Sequence, residues 1–174
     1  MDELKEIRNR LWNAAVDAKS YEGPGEKYQG AILEQYKIYV EMADRISARR
    51  GLTNTFFLTL NTGVFALVGA LVAWKERPAV SPWVLSLPLI IAVGQCAAWW
   101  WLVRSYRMLN SAKFKVVGAL EERLPASAYW HAEWMALGEG KDWRKYLPLS
   151  HSEQWVPILF GLVYVLGFVL AVSG

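Results

Sequence analysis

The sequence predicts an all-α membrane protein with three transmembrane helices, whose long helices extend into a helical cytoplasmic region. Residues 53–74, 82–103 and 154–174 contain no charged residue. Each run is about 20 residues, and at ~1.5 Å per residue it spans a hydrocarbon core of roughly 30 Å. The chain is 54% hydrophobic and carries ten Trp. Helices buried in a soluble protein rarely stay uncharged over three such runs. The predicted boundaries are 1–52 for N-terminal cytoplasmic helices, 53–74 for the first span and 75–82 for a short outer turn. The second span follows at 83–103, a cytoplasmic helical segment at 104–153 and the third span at 154–173.

Residues 3–19 read as an amphipathic helix with Leu4, Ile7, Leu11, Trp12, Ala15 and Val16 near one face. The stretch Tyr-Glu-Gly-Pro-Gly at 21–25 breaks it. A second helix starts near Glu26, with Glu41 and Arg45 spaced to pair at i,i+4. Nothing at Gly51 demands a stop, so 26–74 reads as one long helix or two nearly collinear ones. Pro88 is expected to kink the second span. The tail of that span keeps helical character, with Leu109, Ala112, Val116 and Leu120 on one face, until Leu124-Pro125. A shorter element runs to about Leu137, and Gly138 to Gly140 form a turn. Ser150 and Glu153 fit a capping box for a third span from Gln154, with Pro157 in its first turn.

Positive charge sets the expected topology. Nine Lys and Arg precede the first span, two lie in the first connection, eight fall at 104–145 and none follows the third span. The positive-inside rule places the N-terminus and 104–153 in the cytoplasm of a multi-pass inner-membrane protein, and the C-terminus outside. Trp74 and Trp83 would anchor the outer interface, and Trp99, Trp100, Trp101 and Trp155 the inner one. The chain begins Met-Asp-Glu-Leu-Lys-Glu without an apolar stretch, so no cleavable secretory signal is expected. The single cysteine, Cys96, reads as a small membrane-buried side chain.

The first span has a small, polar side. On a helical wheel Thr55, Thr59, Thr62, Ala66, Gly69 and Ala73 lie within about 40° of one line, with Asn54 and Asn61 on its flank. Phe56, Phe57, Leu60, Val64, Leu67 and Leu71 form a bulky side suited to lipid. The small side reads either as ordinary helix packing, where Asn and Thr bonds are worth about 1 kcal/mol, or as the lining of a polar cavity. With helical phase kept through Gly51, Glu41 and Asp44 extend the same line as an acidic vestibule favouring cations. Gly94 and Ala98, and Gly167 and Ala171, have small-xxx-small spacing, and Gln95 is a mid-span polar group that needs a partner.

Little points to chemistry. Two His and one Cys make a transition-metal site unexpected, and no cofactor, phosphate loop or nucleophile elbow is expected. Arg144 and His151 match the loose Arg-x4–6-His spacing of HEPN ribonucleases, but Pro148 interrupts the segment, so the match reads as incidental. The basic residues at 104–115 would draw anionic lipid at about 1 kcal/mol each.

The stretches EMADRISARR and NTFFLTLNT, then RSYRMLNSAKFKVVGALEERLP, then YLPLSHSEQWVP, resemble the RipA-family octameric small integral membrane proteins of bacteria over about residues 26–172. The resemblance implies a ring of eight identical subunits, and the number eight comes from it alone. The function expected is a non-enzymatic homo-octamer enclosing a pore or cavity, with a channel-like or membrane-perturbing role. Its partners would be itself and membrane lipids, without nucleic acid. A non-conducting scaffold docking a cytoplasmic protein is the first alternative, and a nuclease-like cytoplasmic part the second.

Overall fold

The computed structural model describes residues 17, 19, 26–73, 82–137, 144 and 149–173. The amphipathic helix expected at 3–19 (Asp17 and Lys19 apart), the outer turn before Pro82 and the turn at Gly138–Gly140 lie outside them. Most of the described residues are helical, with no strand among them. Helix α1 is Glu26–Ala73, α2 is Pro82–Glu121 and α3 is Leu149–Ser173. A π-helical segment, Ala128–Glu133, runs into one α turn, Trp134–Ala136. All three helices are long and apolar enough to cross a membrane.

Helix α1 is a single helix through Gly51. One interior glycine costs about 1 kcal/mol against alanine, too little to break so long a helix. Pro82 opens α2, where its missing N–H costs nothing. The helix continues through Pro88. Helix α3 begins at Leu149, ahead of the Ser150 expected as its cap, so Pro157 sits in its third turn, not its first.

The chain divides into two compact units: Met1–Ala48 with Arg107–Pro148, and Arg49–Tyr106 with Leu149–Gly174. In the first unit, buried Ile32, Ala43 and Ile46 of α1 are matched by buried Val117, Ala119 and Leu120 of α2. Polar ties join the two helices. Asn110 Nδ2 donates to Ser47 Oγ at 3.4 Å, the Lys113 ammonium lies 4.9 Å from the Tyr39 ring centre, and Arg123 Nη1 donates to the Tyr28 hydroxyl at 2.8 Å. The inward stripe of α2 therefore runs Asn110, Lys113, Val117, Leu120. Of the expected face Leu109, Ala112, Val116 and Leu120, Leu120 is buried in this contact, whereas Leu109 and Ala112 are exposed.

Glu121, the last residue of α2, is buried at 1% exposure. Its Oε1 accepts from the Tyr36 hydroxyl and the Tyr129 N–H, each at 3.0 Å; its Oε2 accepts from the Ser127 hydroxyl and the Trp130 N–H, each at 2.9 Å. Those backbone N–H groups open the π segment and have no partner within it, so a carboxylate there suits both bonding and dipole. Burial pushes the Glu121 carboxyl upward, but the Trp130, Tyr129, Ser127 and Tyr36 donors outweigh it and hold the group below the usual glutamate range. The Tyr36 phenol is pushed up to about 12, by burial first and then by its bond to Glu121.

Trp130 covers Gly118. A Cβ there would meet the indole Cδ2 at 2.7 Å, with Cγ and Cε3 at 2.9 Å. The ring cannot simply retreat, because its backbone N–H is held on Glu121. Alanine ordinarily stabilises a helix interior by about 1 kcal/mol over glycine. Gly118→Ala is expected to do the reverse and cost a net of roughly 1–3 kcal/mol by overpacking. A lower thermal midpoint of the detergent-solubilised variant is the readout.

Candidate functional site

The second unit, Arg49–Tyr106 with Leu149–Gly174, holds the uncharged apolar stretches of α1, α2 and α3. Its core is Phe57, Trp99 and Val103, with Val156 and Phe160 packed against it. Phe57 and Trp99 stack at 5.5 Å with an interplanar angle of 8°, and Phe160 lies 5.9 Å from Trp99. Phe65 continues the aromatic contact, stacked on Tyr164 at 4.8 Å. Phe57 thus belongs to the core and not to the lipid side where the wheel placed it.

Asn61 is the polar hub. It is wholly buried. Its Nδ2 donates to the Phe57 carbonyl at 2.7 Å. Its Oδ1 accepts from the Tyr164 hydroxyl at 2.8 Å and from the Cys96 thiol at 3.8 Å. One side chain of α1 thereby touches α2 and α3 together. Seven residues earlier on α1, Asn54 Oδ1 accepts from Trp99 Nε1 at 2.9 Å. Arg50 and Glu153 approach to 3.3 Å, with side chains only 18% and 25% exposed, and tie the start of α3 to α1. Glu153, expected in a capping box, is used in that pair. Gln95 was expected to find a partner, but its buried Nε2 has no hydrogen-bond partner among the described residues.

These contacts divide the first span into three faces where the sequence indicated two. The inward face carries Arg50, Asn54, Phe57 and Asn61. A bulky exposed face carries Phe56, Leu60 and Leu67. The third carries Thr55, Thr59, Thr62, Ala66 and Gly69, all exposed in the protomer. Asn54 and Asn61, grouped with the threonines on the wheel, instead turn into the protomer. The packed polar residues escaped notice because a wheel shows direction but not which direction a neighbour fills. Trp99 differs in the same way: it is a core residue, whereas Trp101 and Trp155 are exposed. Trp100 lies beneath Arg104, whose guanidinium carbon is 5.2 Å from the ring centre.

Two of the exposed threonines are satisfied locally. Thr55 Oγ1 donates to the Gly51 carbonyl at 3.1 Å and Thr62 Oγ1 to the Leu58 carbonyl at 2.8 Å. With their hydrogens turned to the backbone, these hydroxyls offer lone pairs outward. On the first unit Glu41 and Asp44 are exposed, and Glu41 pairs with Arg45 at 2.6 Å. Of the small-xxx-small pairs, Gly94, Ala98, Gly167 and Ala171 are all exposed in the protomer. Arg144 is exposed, and the side chain of His151 lies outside the described residues. Among the described residues no group of three or more His, Cys, Asp or Glu could hold a metal ion.

Neither curated proteins nor solved structures give a match. The family described as the octameric membrane protein family matches residues 33–173, from within α1 to the end of α3. With three spans' worth of apolar helix and most of its length covered, the chain belongs to the octameric membrane protein family.

Proposed function

We propose that eight copies of this chain form a non-enzymatic ring in the bacterial inner membrane, each crossing it three times, and that the threonine stripe of α1 lines a central path for ions. The N-terminus is cytoplasmic and the C-terminus outside, on the positive-inside argument. The observation that carries the reading is the third face of α1. Thr55, Thr59, Thr62, Ala66 and Gly69 are exposed, small and uncommitted to the protomer core, and the three threonines put hydroxyls on an otherwise apolar stretch of helix. Lipid-facing helix surfaces are seldom built from such residues, whereas cavity linings and subunit contacts are. Outward lone pairs at Thr55 and Thr62 favour cations, and exposed Glu41 and Asp44 add to that preference, moderated by the Arg45 partner of Glu41.

The same stripe would serve a non-conducting scaffold if it lay wholly at subunit contacts, since small residues let helices approach closely. Reconstituted protein with Thr59→Trp separates the two. In a lined path the ring stays intact and cation flux falls at least roughly tenfold, because a bulky apolar ring closes a pore by dewetting. In a packed contact the octamer itself is lost. Thiol labelling of Thr55→Cys, Thr59→Cys and Thr62→Cys in a Cys96→Ala background gives the second readout. Uniform protection from aqueous reagents overturns the lined path.

A further inference from the structure

The first unit carries a half-open groove of about 390 Å³ between the end of α2 and the π segment. Phe114, Tyr129, Trp130 and Trp134 form its walls, with Lys115 and Glu133 among them. Phe114, Tyr129 and Trp134 are exposed. Single exposed apolar residues are ordinary, but a contiguous aromatic patch marks an interaction site. The groove is preformed: the Trp130 ring rests on Gly118 and its N–H is held on Glu121.

A second exposed apolar feature of the same unit is a ridge on α1, Ile38 and Met42, spaced i,i+4. Such a pair is the anchor pattern of a helix seated in a groove. Glu34 and Arg45 bracket the ridge in exposed pairs along α1, with Lys37 at 3.6 Å and Glu41 at 2.6 Å, so charges of both signs border the ridge as Lys115 and Glu133 border the groove. Two relations connect ridge and groove. Lys113 Nζ reaches Met42 Sδ at 4.0 Å, so the ridge lies level with the α2 turn that supplies Phe114 and Lys115. At about 100° per residue, Lys113 points roughly 145° away from the centre of the groove side of α2. Ridge and groove therefore lie on different sides of the helix pair at one level.

We infer that the Ile38–Met42 ridge of one subunit seats in the aromatic groove of the next. A closed ring is built from heterologous contacts, in which two different surfaces of each subunit meet. Rotation about an axis along the membrane normal keeps every residue at its own depth, so the two surfaces must be level. This inference rests on the ring assembly proposed above and is independent of whether the ring conducts.

The test is covalent capture in membranes before extraction. In a Cys96→Ala background, Met42→Cys and Trp134→Cys together are expected to give, on oxidation, a ladder of covalent multimers beyond the dimer. Neither single variant gives that ladder. A monomer-only pattern or a disulfide within one chain, with the octamer retained by native mass spectrometry, overturns the contact. Phe114→Glu in the otherwise unaltered chain provides a second measure. It is expected to shift the assembly to smaller species with helix content preserved, and intact octamers at the same concentration overturn the proposal. A ladder without ion flux refutes conduction alone, and flux without a ladder refutes the contact alone.

Discussion

Replacing Glu121 with alanine is expected to be among the most damaging single changes in the chain. The carboxylate accepts from four donors, two of them backbone N–H groups that open the π segment. Removing it strands those donors, and each buried unsatisfied donor costs about 1–3 kcal/mol. Local water entry relieves part of this, so a net loss of roughly 3–5 kcal/mol is expected, in the range for removing one partner of a buried charged group. Glu121→Gln keeps the shape but turns an amide donor toward one backbone N–H. The hydroxyls of Ser127 and Tyr36 can rotate to accept, whereas the backbone cannot, so Gln is expected to fall between Ala and the native residue. Thermal midpoints of the detergent-solubilised variants give the order.

The same site fixes an acid limb. The folded Glu121 carboxyl lies below its ordinary value, so its contribution is fully present above the unfolded pKa of about 4.3. It is lost as pH falls through the lower folded value. Native protein is therefore expected to lose stability steeply below about pH 4, and Glu121→Gln to show a flatter slope there. Tyr36 has the opposite sign: raised to about 12, it contributes below the unfolded pKa of about 10 and is lost as pH rises through the folded one. An identical acid slope in native protein and Glu121→Gln would dismiss the carboxylate as its source.

The membrane character, the three helices apolar enough to span a bilayer and the continuity of α1 and α2 were legible because lipid imposes a coarse rule: about 20 apolar residues with internally bonded backbone. Which face of each helix turns inward was not legible by the same means. In α2 the packed stripe includes Asn110 and Lys113, polar residues that a hydropathy count assigns to solvent. They pack because Ser47 and the Tyr39 ring receive them. In the first span Asn54 and Asn61 sat beside the threonines on the wheel, and only the positions of Trp99, Cys96 and Tyr164 distinguish buried hub from exposed stripe. The role of Glu121 was hidden for a different reason. A helix-terminal Glu-Glu-Arg run looks like a solvated end, and the donors that hold its first carboxylate come from Tyr36, far upstream, from Ser127 and from a π segment without a sequence signature.

Trp99→Ala is expected to have the largest effect within the membrane segments. Trp99 is 1% exposed, stacked on Phe57, close to Phe160 and bonded to Asn54. In a soluble core a large aromatic truncated to alanine costs about 3–5 kcal/mol, combining lost transfer free energy with a cavity. Here the transfer part is small, because a separated helix would place the same ring in lipid and not in water. What remains is lost dispersion around the vacated volume and the unpaired Asn54 carbonyl oxygen. About 3 kcal/mol, the lower end of that range, is therefore expected, with partial separation of α1, α2 and α3. Trp99→Phe separates the contributions, since it retains most of the stack and removes only the hydrogen bond. Its expected cost is about 1 kcal/mol, the size of interhelical bonds in membranes. Asn54→Leu should cost a similar amount, and Trp99→Phe with Asn54→Leu little more than either alone, because the pair shares one bond. Additive losses in that double variant, measured by denaturant unfolding in detergent, would mean that Asn54 stabilises the span through a contact other than Trp99.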